Sequence, residues 1–205
     1  MYGVSPFDLL ERRDSRLNNL PEKAASSKTE ILVSSPQEYI RKITTVRRCG
    51  LPEMSFSECC WAFIGSFVSI GAVAYLSFIQ GIPILLASLG ASACLIYGIP
   101  SAPLAQPRNA IAGHLLAAVI GVLVYQLAGC HWYTAGLSVG LAVAVMVGTR
   151  IVHPPAGATA LIAVMTGQDW LFPLMPVGVG ICMLVIIGII VNNLAAKRQY
   201  PNYWW

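Results

Sequence analysis

The sequence Thr-Arg-Ile-Val-His-Pro-Pro-Ala-Gly-Ala-Thr-Ala-Leu-Ile-Ala occupies residues 149–163 and joins two apolar segments. Proline is disfavoured inside a helix but favoured in its first turn, so a helix is predicted to begin near Pro155. The first N–H groups of a helix lack partners and lie at the positive end of its dipole. Small residues leave them accessible, with Arg150 and His153 close by in sequence. The stretch predicts an anion-binding helix N-terminus or, more plainly, a break between two packed membrane helices.

The composition around this stretch is that of a membrane domain. The chain has 205 residues, 56% of them hydrophobic and 11% charged, against roughly 25% charged in a soluble domain. Nine of the thirteen Lys/Arg and eight of the nine Asp/Glu fall within residues 1–58. Between residues 59 and 196 only Arg108, Arg150 and Asp169 are charged. The net charge of +4 therefore indicates topology and lipid contact rather than nucleic-acid binding.

Charge and hydropathy divide the chain into four regions. Residues 1–35 are polar without periodicity and are predicted to be a disordered tail. Residues 36–54 hold an amphipathic stretch and a linker, predicted to lie at the membrane interface; an ordinary solvated helix is the alternative. Residues 55–196 form the transmembrane domain. Residues 197–205 carry two cations followed by tyrosines and tryptophans, which predicts an aromatic and basic interfacial C-terminus.

The transmembrane domain contains six apolar segments. They run over residues 59–79, 84–99, 109–129, 132–149, 155–168 and 171–194. The second and fifth have about 16 and 14 residues and reach only about 21–24 Å, short of the ~30 Å hydrocarbon core. They are predicted to be half-helices completed by non-helical backbone, or re-entrant segments. The predicted fold class is an all-α membrane protein.

A shift of 67 residues superimposes the second half of this domain on the first. Gly90-Ala91-Ser92-Ala93 then falls on Gly157-Ala158-Thr159-Ala160, and the short segments coincide. Each repeat has three segments, and an odd number of crossings inverts one repeat relative to the next. The sequence thus predicts two inverted three-helix repeats, with the N-termini of two short half-helices facing each other. Paired short segments indicate a transporter's binding site; close packing through small residues is the alternative.

The few charges favour six crossings. In that topology Arg108, Arg150 and the basic residues at both ends of the chain lie on one side, as the positive-inside rule requires. Re-entrant short segments would place the two arginines on the opposite side. Both termini are therefore predicted to lie on the same side, unless the arginines line a cavity, where the rule does not count them.

Ten residues are candidates for binding a small anion. Arg108 offers two parallel hydrogen bonds to a planar oxyanion, or it extends to the interface as a snorkelling cation. The histidines at 114 and 153 either relay protons or play structural roles. Hydroxyls and N–H groups come from the short helices. The set is Ser88, Gly90, Ser92, Arg108, Asn109, His114, Arg150, His153, Gly157 and Thr159.

Signatures of enzymes, cofactors and metals are absent from the sequence. There is no Walker loop, no H-E-x-x-H, no G-x-S-x-G and no pair of acidic residues in the membrane domain. The six cysteines include no C-x-x-C pair and are interpreted as small apolar residues. The protein is predicted not to be an enzyme and to use no cofactor or metal. Without an ATP site, any transport is facilitated or driven by an ion gradient.

The run from His153 to Ala160, His-Pro-Pro-Ala-Gly-Ala-Thr-Ala, resembles the signature of the HPP family of integral membrane proteins. The likeness covers about residues 55–205. It includes residues 87–93 and 103–109, Gly113-His114, Asn192-Asn193 and Tyr200-Pro201. Family members in photosynthetic organisms are associated with nitrite transport, including across plastid membranes, and most others have no assigned function. The resemblance implies a multi-pass membrane protein and suggests nitrite as a substrate.

The leading hypothesis is a transporter or channel for a small anion such as nitrite. The substrate rests on the resemblance, and the preference for an anion also rests on Arg108 and the helix N-termini. The alternative is a non-transporting membrane scaffold or regulatory protein whose basic tail recruits a partner. The expected partners are the anion and the lipid bilayer, without nucleic acid; a homo-oligomer is left open. The expected location is a cell membrane, plasma or inner, with a plastid or other organelle membrane as the alternative.

Overall fold

The computed structural model describes residues 35–37, 40 and 55–204. The chain forms two compact units, residues 1–51 and 52–205. In the first unit, Pro36, Gln37 and Ile40 are helical. The predicted disordered tail, apart from Ser35, and the rest of the predicted interfacial stretch lie outside the described residues.

The described part of the second unit, residues 55–204, is all helical, as predicted. Its helices are α1 (Phe56–Phe78), α2 (Ala87–Gly98), α3 (Pro107–Ala128), α4 (Trp132–Gly148), α5 (Pro154–Met165) and α6 (Val179–Leu194). A short 3-10 helix, Pro103–Ala105, precedes α3, and a π-helical turn, Pro173–Gly178, leads into α6. The turn contains Pro176, which cannot donate a helical hydrogen bond, and Met175 has non-helical backbone angles.

Local sequence explains where these helices begin and end. Pro107 and Pro154 are the first residues of α3 and α5, the position at which proline is tolerated. The Ser55 side chain caps α1 by accepting a hydrogen bond from the Glu58 N–H at 3.2 Å. Gly167, with a φ of 65°, follows α5 in the left-handed conformation that glycine adopts most readily.

Three helical stretches are long and apolar enough to cross a membrane: Phe56–Phe78, Pro107–Ala128 and Pro173–Leu194, with 23, 22 and 22 residues. The sequence predicts a fourth at 132–149, but α4 has only 17 residues and ends where the chain turns through Arg150, whose φ is 58°. As predicted, the second and fifth segments are short. Helices α2 and α5 have 12 residues each, which corresponds to about 18 Å, and non-helical backbone precedes both.

Contacts between loops show which loops and helix ends lie at the same end of this domain. The Arg198 and Glu58 side chains form an ion pair of 2.7 Å. The Tyr200 hydroxyl donates to the Ala105 carbonyl, and the Asn109 amide donates to the Val152 carbonyl, both at 2.9 Å. The start of α1, the α2–α3 loop, the α4–α5 loop and the C-terminal segment therefore share one end, called here the terminal end. The chain runs between this end and the opposite end six times.

This arrangement predicts that Ser57 and Gln199 are labelled from the same side of the membrane, and native Cys130 from the other. All three residues are exposed, so a membrane-impermeant maleimide reaches each of them from the aqueous phase. Single cysteines in a cysteine-free background, tested in sealed vesicles, make the measurement. Labelling of Ser57→Cys and Gln199→Cys from opposite sides would contradict the arrangement.

Glycine contacts in the two halves are reciprocal. Helices α2 and α5 begin exactly 67 residues apart, which matches the sequence shift. Four glycines of the long helices contact the short helices or the backbone that precedes them, and a methyl group added at each would lie 2.7–3.4 Å from the partner. The pairs are Gly113 with Ile151, Gly180 with Ile84, Gly121 with Ala163 and Gly188 with Ile96. Exchanged contacts of this kind are typical of a two-fold relation; the inverted repeat itself stays a prediction.

The C-terminal segment departs from its prediction. Arg198 and Tyr200 are buried, so they are not part of an interfacial anchor, whereas Tyr203 and Trp204 are 39% and 54% exposed. Arg198 is buried because its guanidinium finds several acceptors: the Glu58 carboxylate at 2.8 Å, the Glu58 carbonyl at 2.8 Å and the Tyr97 carbonyl at 2.9 Å. Burial raises the pKa of the Tyr200 hydroxyl, which keeps it protonated as a donor.

Candidate functional site

A cluster of polar side chains is buried where α2, α3 and α5 meet. Each member is no more than 1% exposed. The members are Ser88, Ser92, His114, His153 and Thr159. Polar groups inside a membrane domain are costly to bury, are usually bonded to one another, and mark functional sites. This group is called here the polar cluster.

His114 lies at the centre of the polar cluster. Its Nε2 is 2.7 Å from the Ser92 hydroxyl and its Nδ1 is 2.7 Å from the Thr159 hydroxyl. Ser92 and Thr159 are exactly 67 residues apart, so the imidazole bridges equivalent positions of the two short helices. The histidine thus ties the two halves of the sequence together.

His153 joins the cluster from the α4–α5 loop. Its Nε2 is 3.0 Å from the Ser92 hydroxyl, and its Nδ1 is 2.8 Å from the Leu104 carbonyl oxygen. The rings of His153 and His114 have centroids 5.1 Å apart. Gly113 makes this approach sterically feasible, since a methyl group there would lie 2.9 Å from the His153 Cβ. The glycine beside His114 is therefore part of how the site assembles.

Ser88 completes the cluster on the other side. Its hydroxyl is 2.9 Å from the Thr159 hydroxyl, and its carbonyl is 3.1 Å from the Ser92 hydroxyl. Residue numbers rise along α2, from Ser88 to Ser92, while those of their bonding partners fall, from Thr159 in α5 to His153 just before α5. The two short helices thus cross antiparallel near their first turns, where the sequence predicts that their N-termini meet.

The polar cluster is internally satisfied. Within the described residues, every buried side-chain nitrogen and oxygen has a hydrogen-bond partner. Neutral imidazoles and hydroxyls can both donate and accept. The cluster can therefore change its proton arrangement, and it can offer a donor to an anion whenever one internal bond is released.

The structure brings together five of the ten predicted site residues. Asn109 is a near neighbour, 6% exposed, and holds the Val152 carbonyl beside the loop that carries His153. Arg108 is half-buried at the start of α3, six residues before His114 and thus about 9 Å away along the helix. Arg150 is exposed. Both arginines lie at the terminal end, outside the cluster.

The two predicted glycines point away from the polar cluster. Gly90 is exposed, and a methyl group on it would meet no atom within 4 Å; on Gly157 it would meet only the Val139 Cγ1, at 3.8 Å. Residues four apart share a helix face, so Ser88 and Ser92 face inward and Gly90 faces outward. A side chain at either glycine would not cover the N–H groups at the cluster, contrary to the expectation from sequence.

Sequence reasoning missed one acceptor in the site. The Leu104 carbonyl binds His153, and a backbone carbonyl leaves no signal in residue type. Gln106, in the same loop, is fully buried and donates to the Pro100 and Ala102 carbonyls at 3.0 Å each. In the sequence, the available hint that this loop has a fixed structure was a glutamine between Pro103 and Pro107.

Comparison with known proteins gives a family and two relatives. The model described as "HPP, transmembrane region" matches residues 51–201. Two Dictyostelium discoideum proteins, each named as a transmembrane protein, are 38% identical over 172 residues and 40% identical over 158 residues. These matches cover 78% and 71% of this chain, and 59% and 50% of the relatives. The chain thus matches between half and three fifths of the length of these relatives. No solved structure shows a significant match.

Proposed function

The chain belongs to the HPP transmembrane family, and from this premise we propose that it carries a small anion, a nitrite-like oxyanion, across its membrane. The observation behind the proposal is the polar cluster, a set of hydrogen-bonding groups buried where the two short helices cross. A purely structural core would not require two imidazoles and three hydroxyls inside an integral membrane domain. The family resemblance supplies nitrite as the first anion to test.

The charges favour an anion over a cation. Between residues 59 and 196 the one acidic residue is Asp169, which is exposed in the α5–α6 loop. Cation sites in membrane proteins are typically built from carboxylates and carbonyls. The terminal end instead carries Arg108 and Arg150, and their positive field concentrates anions at that end. Arg108 is also the second residue of α3, the helix that carries His114.

The proposal is tested by flux into proteoliposomes, with nitrite, nitrate and chloride as probes. Thr159→Val keeps the shape of the side chain but removes the hydroxyl that bonds His114 and Ser88. We expect at least a tenfold loss of flux, because one lost buried hydrogen bond is worth about 1–3 kcal/mol. Thr166→Val is the matched control, since that hydroxyl is exposed and bonds the Ile162 carbonyl of its own helix.

Wild-type flux no greater than through protein-free liposomes, for all three anions, would overturn the proposal and favour a scaffold. Equal loss in the two valine variants would remove the polar cluster from the mechanism. Monodispersity of each variant in detergent establishes that it is folded.

A further inference from the structure

We propose that the polar cluster binds one proton together with the anion, so that the two cross as a neutral pair. This rests on the anion transport proposed above and adds its coupling ion. The proposal comes from counting the protons available to a linear chain of hydrogen bonds. The chain runs Ser88, Thr159, His114, Ser92, His153, Leu104 carbonyl, with successive distances of 2.9, 2.7, 2.7, 3.0 and 2.8 Å.

The Leu104 carbonyl, at one end of the chain, determines which nitrogen of His153 is protonated. The Leu104 oxygen can only accept, so the His153 Nδ1 carries a proton and donates it. In a neutral imidazole the Nε2 is then an acceptor. The Ser92 hydroxyl can donate there or to the Ser88 carbonyl at 3.1 Å, and only the first choice puts a proton in the link to His153.

When Ser92 donates to His153, the remaining protons have one arrangement that fills every link. The Ser92 proton is used, so His114 must donate from Nε2 to the Ser92 oxygen, and its Nδ1 accepts from Thr159. The Thr159 proton is used in turn, so Ser88 donates to Thr159. The opposite tautomer of His114 would draw the Ser92 proton to itself and leave the 3.0 Å link to His153 without one. In this arrangement five protons fill the five links of the chain, and no donor is left for an anion.

One added proton reverses the donor and acceptor roles in every hydrogen bond from Ser88 to His153. If the acid form of the anion, or a water, gives a proton to the Ser88 oxygen, the former Ser88 proton passes to Thr159 and the Thr159 proton to His114 Nδ1. The His114 Nε2 proton then passes to Ser92, and the Ser92 proton to His153 Nε2. With the donor's own O–H bond included, five O–H or N–H bonds break and five form. The donor is left as its conjugate base, and the added positive charge rests on His153 as an imidazolium.

The reversed chain has two properties that suit cotransport: it offers a donor to the anion, and it retains the proton. Every link again holds one proton, and the newly arrived proton on Ser88 has no internal acceptor, so this hydroxyl can donate to the anion. The Leu104 carbonyl cannot pass a proton onward, so the chain stores the proton and does not leak it across the membrane.

The surroundings of the two imidazoles supply no counter-charge. On the elements packed against them, α2, α3, α5 and the loops at Leu104 and Val152, the charged side chains are Arg108 and Arg150, both cations. Tyr97 of α2 donates its hydroxyl to the Leu184 carbonyl at 2.8 Å, and Cys94 faces outward. Since a lone imidazolium is costly in a membrane interior, proton and anion bind together.

The transport test uses proteoliposomes with an internal pH-sensitive dye, to which sodium nitrate or sodium nitrite is added. Protein-free liposomes are run in parallel, because undissociated nitrous acid diffuses through bilayers. We expect one proton to enter with each anion, at a rate that an imposed potassium diffusion potential does not change. Ser92→Ala interrupts the chain between the two histidines and should reduce the proton-to-anion ratio at least tenfold. Ser138→Ala is the control, since its buried hydroxyl lies, among the described residues, within bonding distance only of the Ala135 and Ala160 carbonyls.

Anion uptake without acidification, at a rate set by the imposed potential, would overturn the proton proposal and leave anion transport standing. Absence of any anion flux would overturn both.

A second measurement does not depend on transport. The chain has three histidines, and His131→Asn leaves only the two in the cluster. Nitrogen-15 solid-state spectra of the neutral protein in bilayers should show one imidazole protonated at Nδ1 and the other at Nε2. Two identical tautomers would overturn the assignment.

Discussion

Replacing Gly121 with alanine is expected to destabilise the membrane domain strongly. A Cβ at this position would lie 2.6 Å from the Ala160 carbonyl oxygen and 2.7 Å from the Ala163 Cβ. Both atoms belong to α5 backbone or to a side chain without rotatable bonds, so relief requires the helices α3 and α5 to separate. We expect a loss of about 3 kcal/mol and a large fall in monodisperse protein extracted in detergent.

Two other glycines provide controls for this prediction. Gly136 is a helical glycine with no atom within 4 Å of an added methyl group, so Gly136→Ala should be neutral or stabilising by up to about 1 kcal/mol. Gly188, 67 residues beyond Gly121, would meet the Ile96 Cγ2 at 2.7 Å, and this side-chain atom can move. From highest to lowest, the expected order of melting temperatures is Gly136→Ala, Gly188→Ala and Gly121→Ala. A Gly121→Ala protein that melts with the wild type would show that α3 and α5 are not in this contact.

Arg198→Ala is expected to have the second large effect. The change leaves the Glu58 carboxylate without its ion-pair partner and the Tyr97 carbonyl without its donor. Breaking a buried, multiply bonded cation of this kind costs about 3 kcal/mol. Arg198→Lys should recover only part of the loss, since an ammonium cannot reproduce the planar arrangement of donors.

The adjacent cation gives the matched control for Arg198. Lys197 is exposed, so Lys197→Ala removes the same charge one residue away and should leave the melting temperature within about 1 °C of wild type. Thermal unfolding of purified protein, followed by size-exclusion chromatography, measures all of these variants. Equal effects of the two alanine substitutions would show that the charge matters and the contacts of Arg198 do not.

Much of the helical architecture could be predicted from sequence because prolines and glycines mark the boundaries. Pro154 and Pro155 placed the start of α5 to within one residue, and the 67-residue shift aligned the short helices. The inward face of α2 was not predictable in the same way. Small and hydroxyl residues surround Gly90 on all sides of the helix, so hydropathy does not tell which of them faces the interior.

Contacts far apart in sequence were also beyond prediction. Glu58 and Arg198 are separated by 140 residues, and each, seen alone, is an ordinary charge next to a membrane segment. The same holds for His153, whose proximity to His114 depends on how closely Gly113 lets the α4–α5 loop approach α3. Predicting these pairs would require the relative positions of helices, which local patterns do not contain.

The ion pair between the first helix and the C-terminal segment also bears on how the protein is made. Synthesis proceeds from the N-terminus, so α1 enters the bilayer long before Arg198 leaves the ribosome. Throughout that interval Glu58 lacks the Arg198 guanidinium, although α1 can already pack against α2 through Val73. The ion pair can therefore form only after every helix from α1 to α6 has been synthesised, and a chain that ends before residue 198 is expected to leave Glu58 and the Tyr97 carbonyl without this partner.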